Sequence, residues 1–191
     1  MMFPLLSTPY GVKVCDELTA MHPVLRREAA ACLQAVTAIG DGRLVDVEVA
    51  IVRSRRFLGL ASGYVAGRRA LLWPLLGELF PSAQAEFVLL TEHSVILEND
   101  LSGVKGAIDA LSAALDAVAG AAVRGAALHA IRPTKILHDT LSLNLGDEEL
   151  VLGSLFDGLS RRELARVRRT LEFRSRFHPA VGISESEVSR F

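Results

Sequence analysis

The chain has 191 residues, half of them hydrophobic and 6% aromatic, with 21 Lys and Arg against 22 Asp and Glu. This length predicts a single domain (1–191) whose hydrophobic core needs no disulfide or metal cross-links. The net charge of −1 excludes a general attraction to nucleic acid or anionic membranes, and two cysteines without metal-type spacing predict reduced thiols in the cytoplasm.

The N-terminal region, 1–40, is predicted to be helical. Residues 12–37 have helix-forming composition with a break at His22-Pro23, where proline fits the first position of a new helix. The segment 39–42 (IGDG) predicts a turn. The N-terminus lacks the basic residues and uninterrupted apolar run of a signal peptide, and no segment is predicted to cross a membrane.

The next region, 43–131, is predicted to contain a sheet and one long helix. In RLVDVEVAIVRS, β-branched residues alternate at positions 45, 47, 49 and 51, which is typical of a strand. The segment 57–65 predicts its antiparallel partner, 68–80 predicts a short helix split at Pro74, and 86–98 predicts one or two further strands.

A long Ala-rich helix is predicted from about 101 to 131, because its apolar residues recur at spacings of four and three. Its small residues let a neighbour approach closely, either the sheet or the same helix of a second copy, so we predict a homo-oligomer. In 132–191, TLSLNL and ELVLGSLF predict a second hairpin before a basic C-terminal helix. The predicted class is α+β: a mostly antiparallel sheet from two hairpins packed against the long helix, plus N- and C-terminal helices.

Four residues in IRPTKILHDT form the first candidate site. Arg132 and Lys135 are suited to hold a small anionic substrate, while His138 titrates near neutral pH and Asp139 is placed to orient it. The same pattern is also typical of a polar surface connection.

Glu92 and His93 form a second candidate, since either is a possible general base inside an apolar segment. The alternative is a bend with polar side chains in solvent. None of the five histidines has a metal-type spacing to another, so we predict no metal and no cofactor.

The segment GLSRRELARVRRTLEFRSRF (158–177) contains seven arginines. Ser160 followed by Glu163 predicts a helix start of the capping-box type. Helical projection places Arg162, Arg166 and Arg169 on one side, opposite an apolar stripe. This basic side either faces solvent in ion pairs, contacts an anionic small molecule or acidic protein surface, or contacts nucleic acid.

The first part of this segment resembles a LuxR-type helix-turn-helix, with matches at Gly158, Leu159, Ser160, Glu163, Leu164 and Ala165. The resemblance covers about twenty residues and implies a DNA-binding regulator acting through 158–177. We predict instead a non-catalytic binding or accessory protein that self-associates. It would present a cationic cleft, formed by Arg132, Lys135 and the C-terminal arginines, to an anionic small molecule or an acidic protein surface. A metal-independent lyase or transferase using His138 and Asp139 is the first alternative, and the DNA-binding regulator is the second.

Overall fold

The computed structural model describes residues 9–43, 45–117, 120–157 and 159–175, and within these ranges every regular element is helical. The α-helices of the described chain are α1 (Pro9–Thr19), α2 (His22–Gly40), α3 (Val47–Gly67), α4 (Trp73–Leu79), α5 (Gln84–Asp116), α6 (Gly120–Asp157) and α7 (Arg161–Ser175). A π-helical turn (Arg68–Leu72) joins α3 to α4, and a 3₁₀ turn (Pro81–Ala83) joins α4 to α5. The predicted α+β class is therefore wrong, since these ranges contain no strand and neither hairpin.

Helices α2, α3, α5 and α6 form a four-helix bundle in which neighbouring helices run antiparallel. The directions of α2 and α3 follow from their contacts. His22 at the start of α2 bonds Tyr64 near the end of α3, whereas Glu28, further along α2, pairs with Arg53 near the beginning of α3. Helix α1 packs on α6, and α7 packs on α1 at one end of the bundle.

Buried side chains form two clusters. The central cluster lies between the four bundle helices and includes Leu25, Val36, Phe57, Leu97, Leu101, Ile108, Leu137 and Leu141. The second lies at the end of the bundle where α1, α4 and α7 meet α5 and α6, and includes Val14, Leu72, Trp73, Leu76, Phe87, Leu152, Phe156, Leu164 and Val167. Each fully buried Leu or Phe contributes about 1.5–3 kcal/mol, so these clusters supply the main stabilising term.

The predicted strand in 43–54 is instead helical from Val47, where α3 begins, and residue 44 lies outside the described residues. Asp46 caps this helix, because its side chain accepts a hydrogen bond of 3.0 Å from the backbone N–H of Val49. The alternating pattern is not used in packing: Val45 and Val49 are exposed, whereas Ile51 is buried. Burial continues at spacings of three and four through the predicted strand 57–65, as in a helix with one face in the core.

The stretch 86–98 belongs to α5 for the same reason. Its buried residues are Phe87, Leu90, Ser94 and Leu97, which recur every three or four residues. The intervening apolar residues, including Val95, face solvent. A run rich in Val, Ile and Leu satisfies a strand pattern locally, but the helical spacing decides which of these side chains reach the core.

The predicted long helix at 101–131 is two helices. Helix α5 ends at Asp116 and α6 begins at Gly120, so the chain reverses within the alanine-rich stretch and forms an antiparallel pair. The start of α6 is fastened to the end of α2, because Arg124 donates a hydrogen bond of 2.9 Å to the carbonyl of Gly40. A Cβ on Gly40 would lie 3.1 Å from Cδ2 of Leu128, so a larger residue there would require the Leu128 side chain to shift.

The predicted second hairpin lies inside α6, which also continues through Pro133. Proline removes one backbone hydrogen bond, but Ala130 before it and Thr134 and Leu137 after it are buried against the bundle. The hydroxyl of Thr134 donates a hydrogen bond of 2.7 Å to the carbonyl of Ala130. Tertiary burial on both sides of Pro133 therefore maintains a helix that the local sequence argues against.

The split predicted at Pro74 is confirmed. The π-helical turn ends at Leu72, and α4 begins at Trp73 with Pro74 in its first turn. The wide turn is closed by the N–H of Trp73 donating to the carbonyl of Arg68. This widening accommodates the proline ring, which clashes with a carbonyl four residues earlier in a regular helix.

Candidate functional site

A network of polar side chains lies inside the bundle, where the two hydrophobic clusters meet. His22, Tyr64, Arg68 and Glu148 are all buried, and they come from α2, α3, the π-helical turn and α6. Burying a charged or polar group is unfavourable unless it is hydrogen-bonded. The contacts among these four residues therefore decide whether the bundle is stable in this arrangement.

Three short contacts connect the network in series. Nδ1 of His22 lies 2.8 Å from Oε1 of Glu149, Nε2 of His22 lies 2.6 Å from the hydroxyl of Tyr64, and that hydroxyl lies 2.7 Å from Oε2 of Glu148. The series runs from the half-exposed carboxylate of Glu149 to the fully buried carboxylate of Glu148. It thus joins solvent-accessible and buried acids through one histidine and one tyrosine.

Counting protons shows what this series holds. Each of the three hydrogen bonds needs one proton. If both glutamates are ionised and His22 is neutral, only two protons are present, one on the imidazole and one on the Tyr64 hydroxyl. Burial raises the pKa of Tyr64 well above its ordinary value, so its hydroxyl remains protonated. The fully bonded series therefore contains one additional proton, carried by His22 or by a glutamate.

Two arginines balance the glutamates. Arg26 binds Glu149 with both guanidinium nitrogens, at 2.8 and 3.0 Å, and this bidentate contact, with His22 adding to it, holds the pKa of Glu149 below its ordinary value. Arg68 lies 3.4 Å from Glu148, stacks 4.6 Å above the ring of Tyr64 and donates to the carbonyl of Leu18 in α1. The network consequently links α1 to three helices of the bundle.

The first predicted site lies on the outside of α6 rather than in a connection. Lys135 lies 2.5 Å from Asp139, one helical turn away, and Nδ1 of His138 lies 2.9 Å from the same carboxylate. Lys135, and then His138, lower the pKa of Asp139, which is half-exposed. Arg132 is exposed on the same helix and makes no hydrogen bond or ion pair with any other residue that the structure describes.

The second predicted site lies on α5. Glu92 is exposed, and Nδ1 of His93 lies 3.5 Å from Oδ2 of Asp147 on α6. His138 lies nine residues before Asp147, about 14 Å along the helix. The two predicted histidines therefore do not lie together.

The predicted start of the basic helix is confirmed. Both halves of the capping box are present: the N–H of Ser160 donates to Glu163 at 2.8 Å, and the N–H of Glu163 donates to the hydroxyl of Ser160 at 3.4 Å. Buried Leu164 and Val167 anchor α7 in the second cluster. Glycine 158 and residues 176–177 of the predicted segment lie outside the described residues.

Arg162, Arg166 and Arg169 form an exposed row on α7, which we call the α7 ridge. Arg169 donates only to the carbonyl of Ala165. Within the described part of the chain, none of the three has a carboxylate partner. By contrast, Arg168 pairs with Glu17 of α1 at 3.2 Å and fastens the helix to the bundle.

The predicted cationic residues do not form one cleft. Arg132 lies about 38 Å from the end of α6 at 1.5 Å per residue, and α7 begins beyond that end. Three surface cavities of about 550, 560 and 560 Å³ border α3, and none of the predicted site residues lines them.

The described residues offer neither a metal site nor an activated thiol. No group of three or more His, Cys, Asp or Glu side chains there could hold a metal ion. Both cysteines are free, and burial raises the pKa of Cys15 and of Cys32, which disfavours the nucleophilic thiolate. None of the described helices is long and apolar enough to span a membrane.

The buried network was missed by sequence reasoning, although one signal for it exists. Glu148 follows Leu141 and Leu145 and precedes Leu152 at the spacings of a single helical stripe. A glutamate on an otherwise apolar stripe indicates a buried partner. This signal is readable only after the segment is assigned to a helix instead of a hairpin.

The fold defines an antiparallel helical-bundle protein with a polar network in its core and a basic helix at one end. Comparison of the chain with models of known families, with curated proteins and with solved structures found no match in any of the three. Its function must therefore be argued from the site itself.

Proposed function

We propose that this chain is a non-catalytic binding protein of the cytoplasm whose α7 ridge docks onto an acidic surface of a partner protein. The cytoplasmic location is part of the proposal and is supported by the two free thiols. The ridge presents three guanidinium groups from a helix that is itself anchored in the core, which is a rigid arrangement for binding carboxylates.

The proposal rests on a difference in ion pairing between the arginines of the bundle and those of the α7 ridge. In the bundle, arginines such as Arg26, Arg53 and Arg55 bind carboxylates of neighbouring helices at 2.8 to 2.9 Å. Along the α7 ridge, no described carboxylate fills that role. Exposed charges of one sign steer an oppositely charged partner and set the orientation of docking.

A protein surface is favoured over DNA by the shape and charge of the region. The ridge spans only about 11 Å of one helix, and α7 continues as a single helix where a helix-turn-helix needs a turn. The chain as a whole carries a net charge of −1, so it has no general excess of cationic groups to contact the phosphates of a duplex beyond the ridge.

The enzyme alternative has less support. A general acid or base works in a site that excludes water and holds the substrate. His138 and Asp139 instead lie on an outer helix face, where Asp139 is half-exposed and already bound to Lys135.

Fluorescence anisotropy with a labelled polyglutamate peptide tests the proposal. We expect binding that weakens as salt is added, and a loss of about tenfold or more in affinity for the triple variant Arg162→Gln, Arg166→Gln, Arg169→Gln. The matched control is Arg43→Gln, Lys105→Gln, Lys135→Gln, which makes the same change in net charge at exposed positions outside α7.

Equal losses in both triple variants would show that only net charge matters and would contradict the proposal. If duplex DNA binds more tightly than polyglutamate, and the same α7 variant abolishes that binding, the DNA-binding regulator would replace the proposed function. Absence of binding to polyglutamate at low salt would also contradict it.

A further inference from the structure

Helix α6 exposes three large apolar side chains at intervals of seven residues. Ile136, Leu143 and Leu150 have 44%, 71% and 73% of their surface exposed. Seven residues are nearly two helical turns, so the three side chains lie in one row along the helix. Single exposed leucines are ordinary, but a row at this spacing is the pattern by which one helix packs on another.

The row lies opposite the face that α6 buries in the bundle. Thr134, Leu137, Leu141 and Leu145 of the same helix are buried, and in helical projection they are centred about half a turn away from Leu143. Helix α6 is therefore apolar on two sides, of which the bundle covers one.

Charged residues flank the first two members of the row, Ile136 and Leu143, in a symmetric order. Arg132 precedes Ile136 by one helical turn, and Asp147 follows Leu143 by one helical turn. Asp147 has only His93, at 3.5 Å, as an ion-pair partner among the described residues, and Arg132 has none there. The midpoint between Ile136 and Leu143 falls between Asp139 and Thr140. The midpoint between Arg132 and Asp147 is the same point.

We propose that this outer stripe of α6 (Arg132, Ile136, Leu143, Asp147 and Leu150) binds the same stripe of a second copy in antiparallel orientation. A twofold axis passing beside Asp139 and Thr140 brings Ile136 against Leu143 of the second copy. The same axis brings Arg132 against Asp147, and each contact occurs twice.

The symmetry of the stripe selects this occupant and this orientation. A parallel pairing would place Arg132 against Arg132 and Asp147 against Asp147, which is repulsive. An unrelated partner gives no reason for residues to be ordered symmetrically about one point, whereas an isologous interface requires each residue and its contact to exchange places. The surface is separate from the α7 ridge, so this inference does not rest on the proposed function.

The dimer should be weak. From His129, which falls opposite Leu150, the contact extends about 33 Å along a single helix. An interface of one helix from each copy is at the lower end of specific interfaces. We therefore expect a monomer–dimer equilibrium in the micromolar range, visible as a rise in average mass with protein concentration.

Sedimentation equilibrium on the full chain, from low micromolar concentration upward, tests the surface. Leu143→Asp should make the protein monomeric, while its circular dichroism and thermal midpoint stay close to those of the unmodified protein. The matched control is Val52→Asp on α3, an equally exposed apolar residue outside the stripe, and it should leave the dimer intact. The α7 triple variant should also dimerise normally, which separates this inference from the proposed function.

Charge reversal tests the orientation. Arg132→Asp and Asp147→Arg should each weaken the dimer about tenfold, and the two together should restore it, because the contact is then formed with the charges exchanged. A protein that stays monomeric at high concentration, or a dimer that survives Leu143→Asp, overturns the proposed surface. Failure of the double variant to recover overturns the antiparallel arrangement.

Discussion

Two clusters of histidine and carboxylate lie on or against α6, and they differ in burial rather than in chemistry. Glu148 is inside the bundle, bound to Tyr64 and next to His22, whereas His138 and Asp139 lie on the outer face. Inside, no water replaces a lost partner, so each contact has structural consequences. Outside, solvent and salt compensate most of the same interaction. Residue type alone therefore does not identify the site that matters.

The largest difference between the clusters is expected at Glu148. Glu148→Ala should lower the free energy of unfolding by about 3–5 kcal/mol, since it leaves Arg68 buried without its carboxylate and Tyr64 buried without its acceptor. Urea unfolding at neutral pH measures this loss. Glu148→Gln is the control that keeps an acceptor for Tyr64, and it should cost less. A loss below about 1 kcal/mol, typical of a surface pair, would contradict a buried network.

Tyr64→Phe should have the next largest effect, about 1–3 kcal/mol, because it leaves His22 and Glu148 without their shared hydroxyl. A double-mutant cycle of Tyr64→Phe with Glu148→Ala, each of which removes the contact between the two side chains, tests by the same urea unfolding whether the residues act together. We expect the double variant to lose less than the sum of the single losses. Additive losses would mean that the series does not function as one unit.

A smaller effect on the free energy of unfolding is expected when the pH is lowered. Arg26 lowers the pKa of Glu149, and Arg53 lowers the pKa of Glu28, relative to the unfolded chain. Such carboxylates stabilise the fold fully above their unfolded pKa, near 4.3, and this stability is lost as the pH falls through the lowered folded pKa. Stability measured between about pH 5 and 2 should fall less steeply in Arg26→Gln.

Unchanged steepness in that variant would show that the Arg26 contact is absent in solution. Arg162→Gln is the control for the loss of one positive charge, since Arg162 is exposed and has no carboxylate partner among the described residues.

The smallest effect is expected at Asp139. Although Lys135 and His138 lower its pKa, Asp139 is half-exposed and the pair lies on the surface. Asp139→Asn should therefore leave the thermal midpoint unchanged at physiological salt. A loss as large as that of Tyr64→Phe would remove the distinction between the two clusters.

Features that depend on a few neighbouring residues were predictable. The capping box of Ser160 and Glu163 and the split near Pro74 both appear where the sequence places them. A cap needs only a side chain within reach of the next backbone N–H groups, and proline acts on the turn that contains it. The break before Pro23, between α1 and α2, follows from the same local chemistry.

The assignment of strands failed because short apolar runs satisfy both periodicities. Val49 completes an alternating pattern and Val95 belongs to an apolar run predicted as strand, yet both face solvent, and the buried residues follow the helical spacing. The chain reversal between Asp116 and Gly120 was also missed, since an alanine-rich stretch favours helix throughout. Only the packing of α5 against α6 shows that the helix ends there.

By itself, the sequence determined the start of the basic helix, the break before Pro23 and the change of helix next to Pro74. The tertiary structure alone decided which face of α6 is buried, which arginines find carboxylates and that His22 meets Glu149, 127 residues away. The reason is physical: caps and prolines act through nearby backbone atoms, whereas burial and ion pairing depend on partners brought together only when the helices pack.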